Sequence, residues 1–443
     1  MSRSRRRKAL PTEPVAATID ALDQKGWGVA RIDGKAVFVH GALPGEAVLF
    51  TYTRQRRSYD EGRVEMVIKP SPDRVEPRCP HFGVCGGCSL QHMEPRAQIK
   101  AKQRVLFDAL QHIGKARPEI FFPPLEAPRQ WGYRRKARLG VKYVPKKGKV
   151  LVGFRERGSS FVTDLSRCDV LHPRVGENIE ALSELIGTLS IRERIPQIEV
   201  AMGDNACVLV FRVLEEPSAG DRESLLAFGR EKDLGIYLQS GGVETIVPAS
   251  EPVILDYTLA AHDVTLRFLP TDFTQVNSEL NGLMVQRALD LLRLERGDQV
   301  LDLFCGLGNF TLPIAQSVAE VVGVEGESGL VQRARENAER NRIDNARFYT
   351  ANLYDIPGNE PWLHESFDKV LLDPPRTGAA EVLEHLPGLG VRRIVYVSCY
   401  PGTLARDTDI LVNRLGYRLK GAGVMDMFPH TAHVESIAVF ERG

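Results

Sequence analysis

The sequence predicts an α/β chain whose C-terminal part holds a mostly parallel, doubly wound sheet, behind two parts richer in strand. Three observations predict it. After about residue 271, apolar strand-like runs alternate with helical stretches. Residues 12–70 are short β-type runs punctuated by turn dipeptides, and strand patterns return between about 120 and 268. At 443 residues the chain exceeds one ordinary core, so domains are expected over 1–72, 73–270 and 271–443.

Bulk composition narrows the class. A hydrophobic content of 43% with 26% charged residues describes a globular chain, not a disordered one. No run approaches the ~18 apolar residues of a bilayer span. The N-terminus, "MSRSRRRKAL", is basic without an apolar stretch. Neither membrane association nor a secretory signal is expected. Seven cysteines, an odd number, argue against an extracellular disulfide framework and for a cytoplasmic setting.

In chain order, residues 1–8 carry five basic groups and no acid. "VAATIDALD", "GWGVARIDGKAVFVHGALPGEAVLFTYTRQ" and "EGRVEMVIKP" follow, with turns at Asp33-Gly34 and Pro44-Gly45. Several strands in so short a span fit a small OB-like β-barrel, a fold that commonly binds oligonucleotides. "KPSPDRVEPRCP" reads as a linker. "RCPHFGVCGGCSLQH" then places Cys79, Cys85 and Cys88 at C-x5-C-x2-C spacing. Three thiols this close suggest a metal or cluster short of one ligand, with Cys168 in "TDLSRCDVLHP" the fourth candidate. Cys207 in "NACVLVFRV" reads as strand core. Spacing alone leaves iron–sulfur and zinc equally open. A redox Cys-x-x-Cys lacks the strand-then-helix context.

Residues 95–113 show helical periodicity and stop at Gly114. From 120 to 268 a mostly antiparallel central domain is expected, with helices near 174–188 and 217–232. Formal net charge is only +1, yet Arg129 to Arg157 hold eleven Lys or Arg against one acid, Glu156. Trp131, Tyr133, Tyr143 and Phe154 interleave with these charges. Dense cations neutralise phosphates and planar side chains stack on bases, so this basic hairpin points to nucleic acid. A merely solvated hairpin surface is the bland alternative.

The last part supplies the chemistry. "QVLDLFC", "EVVGVEG", "ARFYTAN", "FDKVLLDPP" and "RRIVYVSC" read as parallel strands of a Rossmann-like sheet, with ligands at their carboxyl ends. "YRLKGAGVMDMF" and "ESIAVFER" have no helix between them and are expected to form an antiparallel edge pair. "VLDLFCGLGNFTLPIA" puts Asp302 in a strand and Gly306 and Gly308 in the turn before a helix, where the backbone can approach a ligand. Glu325 ends the second strand, where an acid can bind ribose hydroxyls. A NAD site fits this much equally well. Asp373 with the two prolines after it breaks the tie, because the whole set is typical of S-adenosylmethionine-dependent methyltransferases.

Asp-Pro-Pro also serves enzymes that methylate amines, which need no thiol. Methylating C5 of a pyrimidine does need one: a thiolate adds to C6, and a base later removes the C5 proton. A lone buried cysteine is usually inert packing. Cys399 instead ends the strand beside Asp373, ahead of a helix whose N-terminus is expected to depress the thiol pKa. Cys305 is the rival thiol. In "FPHTAHVESIAVF", His430, His433 and Glu435 are the candidate bases.

Together these stretches resemble the bacterial uracil-5 RNA methyltransferases, in particular the iron–sulfur branch that acts on 23S ribosomal RNA. The resemblance runs through almost the whole chain after the basic tail. It implies that residues 26–46 belong to a TRAM domain. It also implies that Cys79, Cys85, Cys88 and Cys168 ligate a [4Fe–4S] cluster. "FTQVN" at 273–277 resembles the family's lead-in motif, so Gln275, Phe304, Asn309, Glu325, Asn352 and Asp373 are the implied S-adenosylmethionine contacts. Cys399 is then the nucleophile and Glu435 the base. One departure stands out: Tyr400 replaces the Asn that usually follows the nucleophile. The target uridine must leave its stack, so a single-stranded loop of 23S RNA is the expected partner, with no obligate protein partner. A tRNA-modifying relative and an RNA-binding assembly factor are the alternatives. Against the first stand the barrel and the four cysteines; against the second stand Asp373, Cys399 and Glu435.

Overall fold

The computed structural model describes residues 10–443, so the basic tail at 1–8 lies outside the described residues. The chain divides into two compact units. The first comprises the described residues through Gly83, with Gly87–Val105 and His430–His433. Its six strands, Val15–Thr18, Ala21–Leu22, Gly28–Ile32, Lys35–His40, Ala47–Gln55 and Tyr59–Lys69, form one sheet. Their spatial order is first, fifth, sixth, fourth, third, second. Asp33 and Gly34 both take positive φ (50° and 80°), the turn that joins strands paired through Ile32 and Lys35. Alternate residues, including Ala30, Val37, Val39, Val48 and Phe50, point into a small core.

Residues 69–80 are less free than a linker. Glu46, fully buried, accepts from the Ser71 amide (3.2 Å), the Leu43 amide (2.8 Å) and Arg74 Nε (2.5 Å). Arg74 also donates to the Gly41 carbonyl at 2.7 Å. The Pro-rich segment is therefore pinned to the sheet it leaves.

The second unit holds Val84–Gly86, Leu106–Pro429 and Val434–Gly443. Its central sheet has six strands, and only Cys207–Arg212 with Gly235–Gln239 pair parallel. The crossover helix between them, Ala219–Lys232, starts at a capping box of Ser218 and Asp221. Lys136–Val144 and Lys149–Gly153 form the expected hairpin.

Eight strands make the second sheet. Ala346–Thr350, Glu320–Glu325, Gln299–Leu303, Lys369–Leu372 and Arg393–Ser398 lie side by side and parallel. Their apolar runs are buried, as a sheet covered on both faces requires. Glu435–Glu441 and Arg418–Met425 then pair antiparallel. They are not the edge, because Ile120–Phe121 adds parallel to Arg418–Met425. Gly421 and Gly423 admit this approach: a Cβ at Gly421 would lie 2.2 Å from Phe122 Cζ. Among the described residues no helix is long and apolar enough to cross a membrane.

Candidate active site

All the residues expected to react or bind the methyl donor stand at or just beyond the carboxyl ends of the parallel strands or in loops of the same unit. The glycine turn follows Gln299–Leu303. Phe304 is held at φ 65°, a conformation few residues other than glycine adopt, and Gly306 and Gly308 follow at 55° and 95°. The Phe304 and Cys305 amides both donate to the Val324 carbonyl, at 2.9 and 3.1 Å, which locks the turn against the next strand. Glu325 closes it: Oε2 accepts from the Gly306 amide (3.1 Å), and Oε1 from the Gly326 and Glu327 amides.

Asp302 lies beneath, with 0% exposure. Its Oδ2 accepts from Thr311 Oγ1 at 2.5 Å, while Oδ1 has no hydrogen-bond partner among the described residues. Burial pushes its carboxyl up to about 8, the Thr311 bond opposing and the charges of Asp373 and Glu325 adding to it. An orphaned buried acceptor below an open glycine turn suits a ligand that brings positive charge.

Asn309 is oriented by two residues that sequence reasoning missed. Its Oδ1 accepts from Tyr257 Oη and Asn281 Nδ2, both at 2.9 Å, and its Nδ2 donates to Asn281 Oδ1 at 3.0 Å. Asn281 carries a faint signal, one turn into the helix after "FTQVN"; Tyr257, on a distant hairpin, carries none. Gln275 sits in a loop held by Asp272, whose side chain takes the Leu269 amide (2.8 Å) and Arg333 Nη2 (2.6 Å). Asn352 Oδ1 accepts from the Tyr354 amide at 3.1 Å. Tyr354 links three loops: its ring meets that of Phe304 at 5.8 Å, and its hydroxyl bonds Thr377 Oγ1 at 2.6 Å.

Sheet register assembles the reacting pair. Ser398 stands opposite Ser436, and Ser436 Oγ donates to the Ser398 carbonyl at 3.0 Å. Cys399 and Glu435 are the residues next to that pair, close enough for the Glu435 charge to act on the thiol, and Glu435 is 3% exposed. Asp373 follows Leu372, which pairs with Tyr396 on the adjacent strand. The loop beyond it is tied down by Asp407, whose Oδ2 accepts from the Ala379 amide and from Tyr396 Oη.

The electrostatics correct one expectation. The helix Pro401–Asp409 does begin at once, but the Cys399 thiol is not depressed. Burial, then the charges of Glu435 and Asp373, push it up to about 11, with Arg376 opposing. Two acids and desolvation outweigh the partial charge of a nine-residue helix. Burial raises Asp373 to about 7, and burial with the Asp373 charge holds Glu435 well above the usual carboxylate range. The rival Cys305 is buried and raised further, an inert thiol facing Gly323. His430 and His433 belong to the first unit, with His430 accepting the Ser89 and Leu90 amides at its carbonyl.

The four expected cluster ligands are all half-buried cysteines. Cys79 and Cys88 lie in the first unit, Cys85 and Cys168 in the second. Among the described residues no group of three His, Cys, Asp or Glu is gathered to hold a metal ion.

The basic hairpin is more occupied than its composition implies. Arg135 pairs with Asp204, Arg138 with Glu199 (2.9 Å), and Lys147 and Lys149 share Asp164 at 3.0 and 2.7 Å. Lys136 donates to the Pro270 and Asp272 carbonyls. Nor are its aromatics free. Tyr133 is 5% exposed and donates to the Pro429 carbonyl, Tyr143 lies under Arg192, and Phe154 under Arg134.

Comparison with known proteins places this geometry. The family model described as tRNA (Uracil-5-)-methyltransferase matches residues 97–353 and 363–442, and a TRAM domain model matches 13–59. A 23S rRNA (uracil(1939)-C(5))-methyltransferase RlmD of Alkalilimnicola ehrlichii is 57% identical over 441 residues, covering 99% of both chains. Its counterpart in Nitrosococcus oceani is 54% identical over 446 residues, covering 100% of this chain and 99% of the relative. Among solved structures, the Pyrococcus abyssi tRNA (uracil-54, C5)-methyltransferase in complex with S-adenosyl-L-homocysteine shares the fold at a TM-score of 0.73. It is 24% identical and covers 96% of this chain and all of that one. The chain belongs to the uracil-5 RNA methyltransferase family.

Proposed function

We propose that this protein methylates C5 of uridine 1939 in 23S ribosomal RNA, using S-adenosylmethionine and a covalent bond to Cys399. The observation that carries the chemistry is the paired strand ends that bring Cys399 within reach of the charges of Glu435 and Asp373. The substrate reading rests on relatives of that printed specificity matching end to end.

Gln275, Phe304, Asn309, Glu325, Asn352 and Asp373 would seat S-adenosylmethionine, which supplies an electrophilic methyl group. The open Gly306 turn lets a ligand approach the backbone, and a cationic ligand would favour the ionised form of Asp302, whose Oδ1 has no partner among the described residues. Cys399, once deprotonated, bonds to C6 and pushes the C5–C6 electron pair toward the O4 enolate. C5 would take the methyl group as the methyl carbon's bond to the donor's sulfonium sulfur breaks, leaving a neutral thioether. Glu435 as carboxylate then removes the C5 proton, the C5–C6 double bond re-forms, and the thiolate leaves. Burial disfavours the charged form of both the Cys399 thiol and the Glu435 carboxyl.

The rest of the reading is ours as well. Residues 1–72 act as a basic tail with an OB-like barrel, 73–270 as the iron–sulfur and RNA-binding part, and 271–443 as the Rossmann-like methyl-transfer domain. The family resemblance assigns Cys79, Cys85, Cys88 and Cys168 to a [4Fe–4S] cluster, which cysteine thiolates are the usual residues to hold and whose place here would be to brace the RNA-binding part. The setting is the cytoplasm, where such thiols stay reduced.

The test is nucleoside analysis of unmodified 23S RNA and transfer RNA after incubation with anaerobically purified protein and S-adenosylmethionine. 5-Methyluridine in 23S RNA alone is the expected result. Methyl on transfer RNA would replace the substrate, methyl on cytosine or an amine the chemistry, and none at all would favour an assembly factor.

A further inference from the structure

Tyr400, directly after the proposed nucleophile, differs from most tyrosines of its unit. Tyr133, Tyr237, Tyr257, Tyr354, Tyr396 and Tyr417 of the same unit all engage their hydroxyls with protein atoms. Buried tyrosines normally do so. Tyr400 Oη has no partner among the described residues, and the residue is 39% exposed. Yet its attachment is rigid. The Tyr400 amide donates to Ser398 Oγ at 3.2 Å, and its carbonyl accepts from Ser398 Oγ, Thr403 Oγ1 and the Leu404 amide at 3.2, 3.1 and 3.2 Å. Ser398 is itself buried.

The ring leans on Gly402. A Cβ there would lie 2.8 Å from Tyr400 Cε1, 3.4 Å from Cζ and 3.5 Å from Cδ1. One edge of the ring thus rests on bare backbone while much of the rest meets solvent. Pro401 and Gly402 project no polar side chain to compete with it. A half-exposed aromatic on a fixed backbone, bonded to nothing and adjacent to a nucleophile, is arranged for contact with what the nucleophile attacks.

We infer that Tyr400 is a substrate-binding residue whose ring stacks on an RNA base flanking the extruded uridine. The inference rests on the proposed chemistry at Cys399. Extrusion leaves the flanking bases with an uncovered face, and an aromatic ring accepts any base there. The hydroxyl is not needed for this.

The test uses the full chain with an RNA fragment carrying the target uridine, and the same fragment with 2-aminopurine beside it. Tyr400→Leu should raise KM for RNA about 10-fold with kcat nearly unchanged, the scale of one lost base–aromatic stack. It should also abolish 2-aminopurine quenching. Tyr400→Phe should restore both. Gly402→Ala, which displaces the ring and keeps the tyrosine, should raise KM in the same direction. An unchanged KM and quench in Tyr400→Leu would overturn the inference, and so would a Phe variant as impaired as Leu, which would make the hydroxyl the contact. Capture of 5-fluorouridine RNA, mapped to its peptide, separates the two failures. Capture at Cys399 with an indifferent Tyr400 removes only the platform. Capture elsewhere, or none, removes the chemistry beneath it.

Discussion

The basic hairpin and the strand-end site were both conspicuous in sequence, and folding treats them oppositely. At the hairpin, eleven cations against one acid suggested an open electropositive surface. Folding brings in Asp164, Glu199 and Asp204 from elsewhere and engages several of those cations. At the strand ends, single residues far apart in sequence are brought together: Cys399 and Glu435 flank the paired Ser398 and Ser436, and the charge of Asp373 acts on both. Local charge density is a property of a segment and is diluted by tertiary contacts. A residue at a strand end is placed by the sheet and keeps its meaning.

The sharpest way to break that contrast is at the thiol. Cys399→Ala should abolish covalent capture of 5-fluorouridine RNA, in which fluorine replaces the proton that must leave. Adduct formation surviving in this variant and lost in Cys305→Ala would transfer the nucleophile to the glycine turn. Next comes the base. Glu435→Gln should form the adduct with normal RNA but release it about 100- to 10,000-fold more slowly, the usual worth of a positioned base. Because burial holds Glu435 well above the ordinary carboxylate range, release by the native protein should go on quickening as pH rises beyond that range. Rapid, equally pH-dependent turnover in Glu435→Gln would hand the role to another group.

A smaller effect lies in stability. Asp302 is raised from 3.8 to about 8 in the fold. Between those values the unfolded chain ionises and the folded one stays protonated, so the native state holds more protons and stability falls as pH rises. The loss is complete above about 8 and absent below about 4, with an upper limit of about 6 kcal/mol. Urea melts of Asp302→Asn should lack that decline. Parallel curves for variant and native protein between pH 4 and 8 would show that Asp302 ionises freely.

Much of the site was legible because its chemistry is carried by residue type at strand ends: Asp302, the glycines, Glu325, Asp373, Cys399 and Glu435 all lie at or beside the expected termini. The alternation after residue 271 foretold the parallel strands for the same reason. What the sequence hid is contact between distant segments. Tyr257 and Asn281 orient Asn309, Asp407 ties down the loop after Asp373, and Ile120–Phe121 covers the antiparallel pair. None of these has a periodicity or motif to announce it. The raised Cys399 thiol was missed on similar grounds: a helix start is visible in sequence, whereas burial beside two carboxylates is not.

The hairpin offers the finest test, since paired and unpaired cations lie within eight residues of one another. Lys142 and Lys146 are exposed and make no ion pair among the described residues, whereas Lys147 and Lys149 hold Asp164. A cation that neutralises a phosphate releases about one counterion, so its loss lowers the slope of log K against log salt by roughly 1. Lys142→Ala and Lys146→Ala should each do this to 23S fragment binding. Lys147→Ala should do less, because its partner Asp164 must first give it up. Asp164→Asn should act in reverse, freeing two lysines and steepening the slope. Equal slopes for all four variants would mean that RNA does not track the hairpin, and the nucleic-acid reading of its composition would fall with them.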